Sequence, residues 1–138
     1  MALGVWILRL SLAVLFAVMG ITHFLPRVRR GMRAMIPPAL RRPGLPSPAA
    51  LVAFTGACEL AGAIGIAAPW QLIGLEWVRW VAGAALVVFL ISVFPANAYA
   101  AEHPEKFGRA ALPFWPRYAA QLGLIVLVTL AAAPGVGA

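Results

Sequence analysis

Four apolar stretches, each about the 20 residues a helix needs to cross the hydrocarbon core of a bilayer, constrain this chain more than any other feature. They run from about Val5 to Leu25, Pro48 to Ala68, Val78 to Ala100 and Pro116 to Ala133. Prolines punctuate them: Pro26 ends the first, Pro48 opens the second and Pro69 follows it, Pro116 opens the fourth and Pro134 closes it. At 63% hydrophobic and 11% charged residues, with mean hydropathy +0.92, the chain is too apolar for an ordinary soluble domain. The expected fold is all-α: one membrane domain over residues 1–138, built as a four-transmembrane-helix bundle with the lipid bilayer as its first partner.

The net charge of +7 does not point to nucleic acid, because the cations sit between apolar runs rather than among exposed aromatics. The first connection holds Arg27, Arg29, Arg30, Arg33, Arg41 and Arg42 with no acid, and the third holds Lys106 and Arg109, with Arg117 at its edge. The second offers Arg79 beside Glu76. The positive-inside rule therefore places the first and third connections in the cytoplasm and both termini outside, in a bacterial inner membrane. Trp6, Trp70, Trp77 and Trp80 would mark the outer interface, Trp115 and Tyr118 the inner one. The start of the chain lacks a basic segment before its apolar run and a small-residue cleavage site after it, so the first stretch is expected to be a retained span. Within the first connection Val28, Met32, Met35 and Ile36 recur at helical spacing among arginines until Pro37 and Pro38. This predicts a short amphipathic helix on the inner leaflet, a basic patch that anchors topology or binds an anionic lipid or an acidic partner.

Inside the apolar stretches an ionisable residue is costly unless it is neutral, paired or faces a polar interior. Glu59, near the middle of the second stretch, is the most conspicuous case. Thr55, Gly56, Gly62 and Ala63 lie one turn away, and the neighbouring row Ala53, Ala57, Ala61 and Gly65 is wholly small, which predicts close helix packing there. In the first stretch Arg9, Ala13, Phe16, Gly20 and His23 share one stripe. With helix ends level, Glu59 lies roughly 16 Å and Arg9 roughly 24 Å above the inner end, a gap of about 8 Å that two side chains can bridge. An Arg9–Glu59 ion pair is therefore expected, either fixing helix register or forming part of a ligand, proton or quinone site.

A second polar cluster, toward the cytoplasm, comprises His23, Asn97, Arg117 and Gln121. Pro95 leaves the Ile91 carbonyl without its helical partner, which predicts a kink; Asn97 could satisfy freed backbone groups or reach His23. These amides serve equally well as interhelical hydrogen-bond glue. Cys58 is the sole cysteine, so an internal disulfide or CxxC relay is excluded. His23 and His103 are too separated for a metal or haem site, and no P-loop, dinucleotide fingerprint or second buried carboxylate is present. No cofactor is evident from the residues; quinone is the one candidate.

Gly20-Ile21-Thr22-His23-Phe24, Met35-Ile36-Pro37, the run from Thr55 to Gly65 (TGACELAGAIG) and Val93-Phe94-Pro95-Ala96-Asn97 together resemble the DoxX-like family of small four-span bacterial membrane proteins. The similarity covers the first three stretches and extends to the fourth. It implies that Arg9 and Glu59 are the recurring polar features of the family. One branch is named for a subunit of a membrane thiosulfate:quinone oxidoreductase, and others are associated with redox or detoxification assemblies. This chain has no cysteine pair and a longer first connection, through Arg41-Arg42-Pro43-Gly44-Leu45-Pro46.

Two functions are expected from these features. One is a membrane subunit or scaffold that holds a membrane or cytoplasmic redox partner, with the basic connection facing it. The other is a binding protein for a quinone, lipid or small substrate in a polar pocket between the helices. Four short helices without repeated halves leave little room for alternating access, although a homo-oligomer would change that.

Overall fold

The computed structural model describes residues 2–108 and 112–133; Arg109 of the third connection and Pro134, expected to close the fourth stretch, lie outside the described residues. Among the described residues the chain is helical, without strands. The elements are α1 (Ala2–Thr22), α2 (Pro26–Met35), α3 (Pro48–Ala67), α4 (Trp77–Glu102), α5 (Pro104–Phe107) and α6 (Phe114–Ala132). Four of these, α1, α3, α4 and α6, are long and apolar enough to cross a membrane, as a multi-pass membrane protein requires.

Local chemistry sets the ends. Leu25 is extended (φ −74°, ψ 123°) because the ring of Pro26 disfavours a helical residue before it, while Pro26 suits the first position of α2. Helix α1 thus stops at Thr22, three residues short of the expected end, and the Gly20, Ile21 and Thr22 carbonyls accept tighter bonds from His23, Phe24 and Leu25. At α3, Ser47 Oγ accepts from the Ala50 amide at 3.2 Å and Pro48 takes the first position. Helix α4 is longer than expected and runs through Pro95. Helix α6 starts two residues before Pro116, whose missing amide falls in the first turn, where no intrahelical acceptor awaits it. The short α5 has no counterpart in the sequence pattern.

Helix α1 packs on α3, α3 on α4, and α4 on α6, which also touches α1; α2 lies against α3 and α4. The start of α1, the end of α3, the start of α4 and the end of α6 share one end of the molecule, so successive long helices run antiparallel. Leu12, Phe16, Ala63, Ile66, Leu86, Leu90, Val128 and Ala131 form the core. Close approach is made at Gly56 against Gly20 and His23, Gly62 against Leu86, Gly65 against Ala82, and Gly83 against Ala132. The small row expected to do this contributes only Gly65: Ala57 and Ala61 face outward. Outward faces carry Ile7, Val14, Val18, Phe54, Ile64, Val88, Ile91 and Val126, an apolar coat suited to lipid.

Candidate functional site

At the end where α1 begins, two buried arginines share one indole. Arg9 and Arg79 lie 5.3 Å and 5.8 Å from the Trp6 ring, within cation–π range. Arg9 Nε donates to the Ala131 carbonyl at 2.9 Å, and Arg79 Nη2 donates to the Ala68 carbonyl at 3.1 Å and to Gln71 Oε1 at 2.9 Å. Those carbonyls belong to the last turn of α6 and the residue following α3, where backbone acceptors have no helical donor and the helix dipole is negative. Trp70 Nε1 donates to the Gly65 carbonyl at 2.8 Å in the same layer. Arg9 is therefore a tie between helix ends.

Glu59 takes another partner. His23 Nδ1 lies 3.1 Å from Glu59 Oε2 and 2.9 Å from the Met19 carbonyl, and both side chains are buried. The expected Arg9–Glu59 pair is absent because the inner helix ends are not level. Gly56 meets His23, yet it lies eight residues, about 12 Å, beyond Pro48, so α3 starts well below the end of α1. That offset carries Glu59 down to the histidine and away from Arg9.

The Met19 carbonyl can only accept, so in this hydrogen bond His23 Nδ1 is the donor. Its hydrogen is directed at the Met19 carbonyl, and Glu59 Oε2 is left buried with no hydrogen bond of good geometry despite its proximity to the ring. His23 lies one residue beyond the α1 span. Burial disfavours its charged form, but the contacts with Glu59 and the Met19 carbonyl and the negative charge of Glu59 outweigh this, and its pKa is raised above the ordinary 6.5.

Of the second predicted cluster, the structure joins Asn97 to Arg117: Arg117 Nη1 donates to Asn97 Oδ1. Asn97 does not reach His23. Gln121 Nε2 donates to the Leu90 carbonyl at 2.9 Å, one residue before the carbonyl that Pro95 deprives of a donor. Gln121 thus ties α6 to α4, the interhelical role expected of either amide.

His23, Glu59, Asn97 and Arg117 all border one cavity of about 840 Å³. Its walls include Met19, Val52, Phe89 and Val93, and Val28, Gly31, Met32 and Met35 of α2 contribute one side. The apolar stripe of α2 thus faces this cavity. Arg27 and Lys106 join the lining. Of the other arginines in the first connection, Arg41 donates to the Ile36, Arg33 and Ala34 carbonyls and so caps the end of α2. Arg30 and Arg33 join it around a second hollow of about 420 Å³, Arg29 is half-buried, and Arg42 is exposed. Lys106, which with Phe107 brings α5 to this cavity, was legible in the sequence only as a loop charge. Among the described residues no group of three or more His, Cys, Asp or Glu side chains is placed to hold a metal ion.

The family model described as a domain of unknown function (DUF8561) matches residues 12–132. No curated protein and no solved structure matches the chain.

Proposed function

The chain belongs to the DUF8561 family, and from the geometry of its site we propose that it is a multi-pass membrane protein that binds a small amphipathic molecule between its helices. In this reading the four long helices form a transmembrane bundle in a bacterial inner membrane with both termini outside, and α2 lies at the cytoplasmic interface. The carrying observation is the cavity of about 840 Å³, which both polar pairs border. Ligand sites are typically concavities of about 300–1,000 Å³, mostly apolar, with a few converging polar groups. Glu59, a buried carboxylate that faces His23 in the lining, supplies one of the few polar groups of this cavity. A quinone, a lipid or a small substrate fits this description. Native mass spectrometry in mild detergent, paired with solvent extraction, tests it. A small molecule released from the wild type but depleted in Glu59→Gln is expected. A protein that carries none, and in nanodiscs binds no quinone, lipid or fatty acid, would overturn the reading.

A second reading, a membrane subunit or scaffold of a redox-associated assembly, follows from the DoxX-like resemblance. It is favoured by the first connection, where Arg30, Arg33 and Arg42 remain exposed for an acidic partner. Loss of a co-purifying protein after these arginines are replaced by glutamine would support it.

A further inference from the structure

The second hollow, apart from the large cavity, lies where α2 ends and α3 begins. It encloses about 420 Å³ and is lined by Arg30, Arg33, Ala34, Arg41 and Pro48. Arg30 and Arg33, three residues apart on α2, share the face opposite Val28, Met32 and Met35, which line the large cavity. Arg41 folds back on the same helix end: its Nε donates to the Ile36 carbonyl at 2.9 Å and its Nη2 to the Ala34 carbonyl at 2.8 Å. These bonds fix the guanidinium beside the hollow and leave its Nη1 without a hydrogen bond among the described residues. Pro48, the first residue of α3, brings the positive end of that helix's dipole to the same place.

The level of the hollow follows from helix packing. Gly62 of α3 packs on Leu86 of α4 and the two helices are antiparallel, so Pro48, fourteen residues before Gly62, lies near the level of Ala100, fourteen after Leu86. Ala100 is in the last turn of α4, two residues from Glu102, where the apolar run gives way to charge. In a bundle that spans a bilayer this is headgroup depth. Arg30 and Arg33 are exposed, and among the described residues their side chains form no ion pair and no hydrogen bond. Between Pro26 and Ser47 there are six arginines and no acid. Leu40, next to Arg41, and Leu45, three residues before Pro48, are exposed as well. Exposed leucines beside unpaired arginines suit a partner that is apolar and anionic at once, as an anionic leaflet is. A soluble acidic partner would match only the charge.

We propose that this hollow binds the phosphate of an anionic phospholipid of the cytoplasmic leaflet, held by the guanidinium groups of Arg30, Arg33 and Arg41. Guanidinium forks match phosphate oxygens in pairs. A zwitterionic lipid carries the same phosphate but would bring an ammonium group among the arginines, which disfavours it. The site requires the transmembrane bundle of the reading above and is independent of what occupies the large cavity. It competes with the scaffold reading for Arg30 and Arg33.

The test is native mass spectrometry of the full chain in mild detergent, titrated with phosphatidylglycerol or with phosphatidylcholine of the same acyl chains. Phosphatidylglycerol should bind at least about ten-fold tighter. The Arg30→Gln/Arg33→Gln double variant, which alters two exposed side chains, should cut that preference to about two-fold or less. Arg30→Lys/Arg33→Lys keeps the net charge but loses the forks, and should bring the preference to about three-fold. A full preference in the glutamine variant would place the lipid elsewhere, and a full preference in the lysine variant would mean diffuse charge attraction; either overturns the site. Displacement of the lipid by inorganic phosphate or by hexaglutamate would assign the hollow to a soluble anion or an acidic protein and overturn the lipid assignment. Alkaline carbonate extraction of membranes separates this failure from that of the transmembrane reading. Release of the chain overturns the transmembrane reading, whereas a chain that stays in the membrane but shows no preference for phosphatidylglycerol overturns the site alone.

Discussion

His23 and Glu59 meet across the α1–α3 interface, with Nδ1 3.1 Å from Oε2, and so couple the end of one long helix to the middle of the next. A buried charge that loses its partner is costly, whereas removing both partners together relieves much of that cost. His23→Gln and Glu59→Gln should therefore be less than additive, with an interaction energy of about 1–3 kcal/mol in equilibrium unfolding from detergent. The cycle of Arg9→Gln with Glu59→Gln should be additive within about 0.5 kcal/mol, since Glu59 of α3 packs at the His23 end of α1, far from Arg9.

The same pair predicts a pH dependence. The raised His23 pKa means that the folded state holds the proton more tightly than the unfolded chain. This contribution to stability is fully present below the ordinary value of 6.5 and is lost as pH rises through the raised folded-state value. Thermal denaturation from about pH 5 to about pH 9 should show a declining Tm that is flattened in His23→Gln. An equal decline in both proteins would assign the effect to other groups.

Arg9 is predicted to act on the helix ends rather than on Glu59. Replacing it with methionine keeps much of the apolar stem but removes the donor to the Ala131 carbonyl and the contact with Trp6. A loss of about 1.5–3 kcal/mol is expected, as for a charged hydrogen bond. Hydrogen exchange should rise most in the last turn of α6. Exchange that rises instead around Glu59 would contradict this role.

Glycine substitutions should separate packed from open helix positions. A Cβ at Gly56 would stand 2.6 Å from the His23 Cβ, so Gly56→Ala must push α1 and α3 apart and is expected to cost about 1–3 kcal/mol. It should also weaken the His23–Glu59 contact. Gly123 in α6 meets nothing within 4 Å, so Gly123→Ala should be neutral or stabilising by up to about 1 kcal/mol. Paired unfolding curves check both.

The packing stripe of α1 was legible from residue spacing. Arg9, Phe16, Gly20 and His23 recur every three or four residues and are all buried; Leu12, rather than Ala13, completes the line. On α3 the buried face was found through Glu59 with Gly56, Gly62 and Ala63 beside it, whereas of the neighbouring small row only Gly65 is closely packed. Alanine is tolerated facing outward, whereas the glycines at positions 56, 62 and 65 mark where another helix leaves no room for a Cβ. The Asn97–Arg117 pair came from residues correctly grouped by depth, although the individual bonds within that group were not assigned. Hydrogen-bond geometry depends on helix rotation as well as height.

By itself the sequence determined the number of long helices, most of their ends and which residues carry charge into apolar surroundings. These properties are local: hydrophobic length, proline's missing donor and the steric limit on the residue before it act within a few positions of the chain. Only the tertiary structure decided who pairs with whom. The offset of α3 relative to α1 gives Glu59 to His23 and leaves Arg9 to a helix end. The contacts of α2 with α3 and α4 bring its apolar stripe to the cavity and Arg27 to its lining. Axial offset is set by close packing over many residues from different parts of the chain, and no short stretch of sequence encodes it.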